Sequence, residues 1–253
     1  MLTLRQNGGA RAHAAATDVA LQNVNRYQYP RLRVFRAEEK IFADLMRPGM
    51  QVLDLGCGSG RILRALAMHS VNVCACDLNF AALEQLRTSY SVDDLIGLEQ
   101  ADARSLPFSN ESFDVVIFAF NGIDFLYPES ERIIALREIG RVLRPGGYFL
   151  LSTHNPLGTL LSPRGLRSRV GWRWRFTYAF SGAVRQSYFR NHDGLRLYHA
   201  LPKRVALQVS EHTGATFLYC LTRSAVSRSM AFVTLFSAWP YYVFRRKSDD
   251  AAS

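Results

Sequence analysis

The chain has 253 residues, 48% of them hydrophobic and 21% charged, which suits one α/β domain with an elaboration and gives the composition of an ordinary soluble globule. Its formal net charge of +10 is unevenly placed: residues 1–159 hold 16 Lys/Arg against 17 Asp/Glu, and residues 160–253 hold 15 against 4. Cys57, Cys74, Cys76 and Cys220 form no second CxxC and meet no histidine pair, which argues against a disulfide framework and a metal centre and fits a reducing, cytoplasmic setting.

Residues 1–30 read as a tail and leading segment without an apolar signal core, and residues 31–253 as a single domain. Arg31 to Met46 has helical spacing through Leu32, Phe35, Ile41, Phe42 and Leu45, stopped by Arg47-Pro48-Gly49. Gln51–Leu55 is a first strand that runs into a glycine turn, and Arg61–His69 an amphipathic helix. Val71–Cys76 is a second strand ending at Asp77, Phe80–Tyr90 a helix, and Leu95–Gln100 a third strand. Phe113–Phe120 is a continuous apolar run, as a strand buried on both faces of a parallel sheet would be. Glu129–Leu143 is a helix through Ile133, Ile134, Leu136, Ile139 and Val142, and Pro145-Gly146-Gly147 turns the chain into strand Tyr148–Thr153. The alternation predicts an α/β fold: a Rossmann-like, doubly wound, mostly parallel sheet of about seven strands, with an insertion after the fifth.

Beyond Thr153 the pattern breaks. Residues 155–201 read as a basic, aromatic substrate or lid insertion, with Arg164, Arg167, Arg169, Arg173 and Arg175 among Trp172, Trp174, Phe176, Tyr178 and Phe180. Pro202–Gly214 is a further helix, and Thr216–Thr222 and Pro240–Lys247 are strands. Ser229–Phe244 is the longest uncharged run; it falls short of the ~20 residues that span a bilayer and is broken by Pro240. It reads instead as a buried strand pair or a strand plus a helix.

In open α/β sheets a ligand lies outside the carboxyl ends of the strands. There the sequence places Asp54 with Gly56, Gly58 and Gly60, then Asp77, Asp102, Asn121 with Gly122, and His154. A dinucleotide fingerprint needs GxGxxG, but Val52–Arg61 reads VLDLGCGSGR, with Arg61 where the third glycine belongs. Asp54 would put negative charge where a pyrophosphate needs the opposite. It suits a cofactor that carries an ammonium and a sulfonium. Asp77 can accept from two ribose hydroxyls, and Asp102 from an exocyclic adenine amine beside the Ala103 backbone.

The string VLDLGCGSGR resembles motif I of the class I S-adenosylmethionine-dependent methyltransferases. Asp77, Asp102, FDVVIFAFN and LREIGRVLRPGGYFLLSTHN match that family's later motifs in order, over roughly Phe35 to Asn155. The resemblance implies S-adenosyl-L-methionine as methyl donor, with cofactor contacts at Asp54, Gly56, Cys57, Gly58, Gly60, Asp77, Leu78, Asp102, Ala103, Phe120 and Asn121. Methyl transfer is an in-line displacement, so positioning alone can supply ~7–11 kcal/mol. His154 is the candidate general base, with a structural histidine bonded to loop backbone as the alternative. Asp124 and Tyr127 are weaker candidates, set against a role in capping the next helix. His192 and His199 read as surface or lid residues.

Absent motifs narrow the acceptor. The place after the fourth strand reads AFNGID in place of the D/N-P-P-Y/F of nucleic-acid amine methylases, and no Pro-Cys pair supplies a thiolate. A small-molecule, sugar or lipid-linked glycan acceptor leads, accepting at oxygen or nitrogen. The interleaved arginines and tryptophans fit an anionic or phosphate-bearing acceptor, RNA or peripheral membrane contact, and equally a helix with arginines outside and tryptophans in the core. RNA methylation and a non-catalytic cofactor-binding scaffold remain as alternatives.

Overall fold

The structure is a computed structural model that describes residues 5–6, 34–89, 97–161, 176–180, 187–190, 196–226 and 229–248. In chain order its elements are β1 (Arg5–Gln6), α1 (Arg36–Leu45), β2 (Gln51–Leu55), α2 (Leu63–Ala67), β3 (Asn72–Asp77), α3 (Phe80–Ser89), β4 (Gly97–Gln100) and β5 (Phe113–Phe118). A 3₁₀ turn (Gly122–Phe125) leads to α4 (Glu129–Val142), β6 (Leu143–Ser152), α5 (Pro156–Leu161), β7 (Ser187–Arg190) and β8 (Arg196–His199). The chain then forms α6 (Pro202–Thr213), β9 (Ala215–Leu221), α7 (Met230–Phe236) and β10 (Tyr241–Arg246).

The main sheet runs β1-β4-β3-β2-β5-β6-β10-β9. Every pair from β1 to β6 is parallel, and β10 joins β6 and β9 antiparallel. The mostly parallel, doubly wound expectation therefore holds. The order reverses at β2/β5, so the carboxyl ends of those two strands flank the switch point where such sheets bind ligands. Two apolar cores cover the faces. One joins β-strand residues such as Leu53, Val116 and Phe149 to Leu136 and Ile139 of α4 and Val205 and Val209 of α6; the other joins Val52, Val115 and Ile117 to Ile41 and Phe42 of α1, Leu66 of α2 and Leu83 of α3.

Several elements depart from the expected ones. Arg5–Gln6, inside the expected tail, pairs in parallel with Glu99–Gln100 at the sheet edge. The helix after the glycine turn is shorter, beginning at Leu63 because the turn runs on through residues 61–62. β6 starts at Leu143, since Leu143 already pairs with Phe113 and the Pro-Gly-Gly stretch is taken up as an irregularity within the ladder. Ser229–Phe244 is a helix plus a strand, but the helix is half-exposed: Val233 is buried while Phe232, Leu235 and Phe236 face solvent. Within the insertion, β7 and β8 form an antiparallel hairpin that spacing alone did not signal. Arg164, Arg167, Arg169, Trp172, Arg173, Trp174, Arg175 and His192 lie outside the described residues. No described helix is long and apolar enough to cross a membrane.

Candidate active site

The turn after β2 is shaped by its glycines and tied to β3. Gly56, Gly58 and Gly60 have φ of 69°, 53° and 78°, the left-handed region that favours glycine. The Gly56 and Cys57 amides both donate to the Cys76 carbonyl, at 2.8 and 3.0 Å. A Cβ on Gly58 would meet nothing within 4 Å, so the turn presents bare backbone to open space. At the end of β3, Asp77 accepts the Gly58 amide on Oδ2 and the Asn79 amide on Oδ1, both at 2.8 Å. Each oxygen keeps a lone pair for a further donor. Burial raises the Asp77 carboxyl above its ordinary value, against these backbone bonds.

Asp54 is 2% exposed, and its Oδ2 is buried without a hydrogen-bond partner among the described residues. Burial pushes its carboxyl up to about 7, with Arg61 opposing the shift and Asp77 adding to it. A buried carboxylate oxygen left without a donor beside an open glycine turn is the expected partner of a cationic ligand group. Arg61 does not fill that role. Its guanidinium forks onto Glu38, at 2.6 and 2.5 Å, and lies 4.8 Å from the Phe35 ring centre and 5.3 Å from that of Phe120. Tyr241 also donates to Glu38, at 3.1 Å. Glu38 and Phe35, from the leading helix, thus wall the turn.

After β4, Asp102 accepts from Arg104 through Nε and both oxygens, and Arg104 also reaches Glu131 at 2.7 Å. Ala103 is buried, and the Leu78 carbonyl takes the Gln100 side-chain amide at 3.1 Å. After β5, Phe120 and Asn121 both have positive φ, 54° and 63°, a conformation uncommon away from glycine. The Asn121 amide donates to Ser152 Oγ at 2.9 Å, and its side-chain Oδ1 is buried without a partner among the described residues.

His154 follows β6. Its Nδ1 is 2.9 Å from Asp124 Oδ2, its backbone amide donates to the same oxygen at 2.7 Å, and its Nε2 is 3.5 Å from Asn121 Nδ2. The Asp124 carboxylate is fully buried and accepts Arg132 on Oδ1 at 3.0 Å. Arg132, also fully buried, donates to Gln208 Oε1 and to the Ile123 carbonyl, and its guanidinium carbon lies 4.1 Å from the Tyr198 ring centre. Gln208 passes the chain on to Glu129 at 2.7 Å. Asp124 therefore does more than cap a helix. Tyr127, half-exposed, packs against Tyr188. His199 is not a surface residue: it is fully buried, paired through its backbone with His154 and packed on Tyr178 and Phe189.

The fold thus gathers the ends of β2, β3, β5 and β6 at one edge, bringing together the glycine turn, Asp54, Asp77, Asn121 and His154. The spacing signals missed Glu38 and Arg132. A charged residue on the apolar stripe of α4, four and seven positions before Leu136 and Ile139, was the available sign of Arg132.

Comparison with known proteins matches part of the chain. The family described as "Methyltransferase domain" matches residues 52–147. Those residues read as a methyltransferase domain. That domain is 36% identical over 103 residues to the demethylmenaquinone methyltransferase of Clavibacter sepedonicus, covering 41% of this chain and 40% of the relative. It is 37% identical over 112 residues to the fatty-acid O-methyltransferase of Mycolicibacterium smegmatis, covering 43% and 38%. The chain thus spans about two-fifths of the length of the curated relatives it matches. In structure the methyltransferase fold extends further. The 1,6-didemethyltoxoflavin-N1-methyltransferase of Burkholderia thailandensis, solved with bound 1,6-didemethyltoxoflavin and S-adenosylhomocysteine, has a TM-score of 0.64 and 16% identity, over 98% of this chain and 94% of that one.

Proposed function

We propose that this protein transfers a methyl group from S-adenosyl-L-methionine to an oxygen or nitrogen atom of a small-molecule, sugar or lipid-type acceptor. The observation that carries the reading is Asp54: a buried carboxylate oxygen without a partner at an open glycine turn is matched by the donor's ammonium. Gly56, Cys57, Gly58 and Gly60 would line the methionine end, Asp77 the ribose, and Leu78, Asp102 and Ala103 the adenine. Asp102 would meet that adenine with Arg104 already bound to it. Phe120 and Asn121 would border the methyl-bearing sulfonium. The donor supplies an activated methyl group and a neutral thioether as leaving group. What the chain's own residues must do is hold the acceptor in line and exclude water.

Relatives named for a quinone precursor and a fatty acid support a small apolar or lipid-type acceptor. An anionic acceptor would rest on the arginines of residues 162–175.

The test is incubation of the full chain with trideuteromethyl-labelled S-adenosylmethionine and an extract of the source cells, fractionated into small molecules, lipid, RNA and protein. Label in the small-molecule or lipid fraction is expected. Label in RNA that survives protease but not ribonuclease overturns the acceptor class. No label in any fraction, with calorimetric binding of S-adenosylhomocysteine intact, supports a scaffold instead.

A further inference from the structure

We propose that His154, Asp124 and Arg132 form a proton-accepting relay, and that it commits the enzyme to an acceptor hydroxyl. This rests on the methyl-transfer reading above. Asp124 Oδ2 can only accept, so the 2.9 Å contact with Nδ1 places the imidazole proton on Nδ1. The Asn121 side-chain nitrogen can only donate, so its 3.5 Å contact fits a bare Nε2. That contact is at the outer limit of a hydrogen bond, which leaves the Nε2 lone pair free for a stronger partner. The ring is not locked away: the His154 side chain is 20% exposed, whereas those of Asp124 and Arg132 are fully buried.

The assembly is more than a histidine tied to a loop. The backbone amide of His154 shares Asp124 Oδ2 with its own ring, so ring and chain are fixed by one oxygen. The Arg132 guanidinium balances the carboxylate from below, and Gln208, Ile123 and Tyr198 hold it there. Burying such a pair is expensive, the more so because Arg132 Nη2 has no partner among the described residues, and a structural histidine would be served equally well by a carbonyl. An imidazole with one nitrogen protonated toward a buried carboxylate and the other bare is arranged to take a proton.

A neutral amine attacks a sulfonium methyl through its own lone pair and can lose its proton afterwards to water. An alcohol or phenol is a poor nucleophile until its proton leaves. In the step assigned here the acceptor O–H bond breaks, its proton passes to Nε2, and an oxygen pair forms the O–C bond. The C–S bond breaks with its pair remaining on sulfur, so the sulfonium becomes a neutral thioether. The imidazolium faces Asp124 until product leaves, then returns its proton to solvent.

Three measurements on the full chain test this. Long-range nitrogen–proton NMR with S-adenosylhomocysteine bound, assigned by loss of the signals in His154→Gln, should show His154 with a proton on Nδ1 and none on Nε2; the opposite tautomer overturns the relay. The labelled product of the extract incubation should carry its trideuteromethyl group on oxygen, and a nitrogen-linked label overturns the hydroxyl assignment. His154→Gln should reduce labelling by about 10²–10⁴-fold, while S-adenosylhomocysteine affinity stays within about twofold. Undiminished labelling in that variant overturns the base, and absence of label with S-adenosylhomocysteine still bound overturns the proposal as well. Asp124, as a positioning residue, should lower kcat on Asp124→Asn without changing the KM for the donor. Should that buried variant fail to fold, His154→Gln, at a partly exposed position, carries the test. Loss of S-adenosylhomocysteine binding by the unmodified chain would instead defeat the methyl-transfer reading itself.

Discussion

Asp54→Asn should stabilise the cofactor-free protein and weaken its grip on the cofactor, and both effects should depend on pH. The Asp54 carboxyl is raised from 3.8 to about 7 by burial. For an acid raised in the folded state, the native form holds its proton between those two values while the unfolded form has lost it. Stability is therefore greatest below pH 3.8 and falls as pH rises toward about 7, where the loss is complete. The gap corresponds to about 4 kcal/mol carried as a penalty at pH 8. Asparagine cannot ionise, so at pH 8 the variant should melt about 8–16 °C above the parent, given about 2–4 °C per kcal/mol for a chain of this size. At pH 5 the advantage should shrink to about 2 kcal/mol. The donor's ammonium reverses the sign of the effect by pairing with the ionised form. Affinity for S-adenosylhomocysteine should rise about tenfold per pH unit up to about pH 7, with proton release on binding below that, while the variant should bind ~10–100-fold more weakly at pH 7.5 and show no such slope. Melting curves and calorimetry in buffers of different ionisation enthalpy measure both. A pH-independent affinity in the parent, or a variant that melts below it at pH 8, would refute the assignment of Asp54 as the ammonium partner.

Asp77→Ala removes the acceptor of both the Gly58 and Asn79 amides as well as the proposed ribose clamp. Cofactor affinity should drop by ~100-fold or more with circular dichroism unchanged; unchanged affinity in calorimetry would remove Asp77 from the site. A Cβ on Gly158 would overlap the Ser237 carbonyl, where α5 crosses the end of α7. Gly158→Ala should thus cost about 1–3 kcal/mol or more, seen as a fall of about 2–12 °C in Tm. The thiols of Cys57 and Cys76 are held well above their ordinary value by burial, Cys74 is pushed up to about 12, and Cys220 to about 11. Iodoacetamide at pH 8 should leave all four cysteines unmodified in the native protein and label all four in denaturant, as mass spectrometry would count.

The glycine-turn side was legible because its signals are local. Gln51–Leu55 was placed to the residue, and the glycines that follow it sit at positive φ where the chain must turn back on β3. The surroundings of His154 were less legible, because their parts meet only through the fold. Asp124 and His154 are 30 residues apart, and Arg132 and Gln208 are 76 apart. Helical spacing alone pointed to Ile133 and Ile134 as core residues of α4. The structure buries Arg132 on that face and leaves Ile134 40% exposed, since Gln208, Asp124 and the Ile123 carbonyl take up Nε and Nη1 of the guanidinium where an apolar side chain was expected. His199 was misplaced for a related reason. A histidine in an irregular basic stretch reads as solvated until β8 carries it under Tyr178 and Phe189.

Two adjacent non-glycine residues with positive φ, Phe120 and Asn121, stand between these two halves. Each such residue costs of order 1–3 kcal/mol and persists only where its surroundings over-determine it. Here they do. Ser152 Oγ holds the Asn121 amide, and Gly122 is the one residue type that lets the chain pass the Phe118 ring, which a Cβ would strike. On the other side Phe120 stacks on Phe35, with ring centres 5.9 Å apart, and Arg61 rests against both rings. The strained pair is thus clamped at one end by the wall of the glycine turn and at the other by Ser152, the last residue of β6. Relaxing it would swing the Asn121 amide away from Nε2 and loosen the Phe120 contact with the turn in the same motion. The pair stands at the end of β5, between β2 and β6 in the sheet, and bridges the wall of the glycine turn and the His154 side chain.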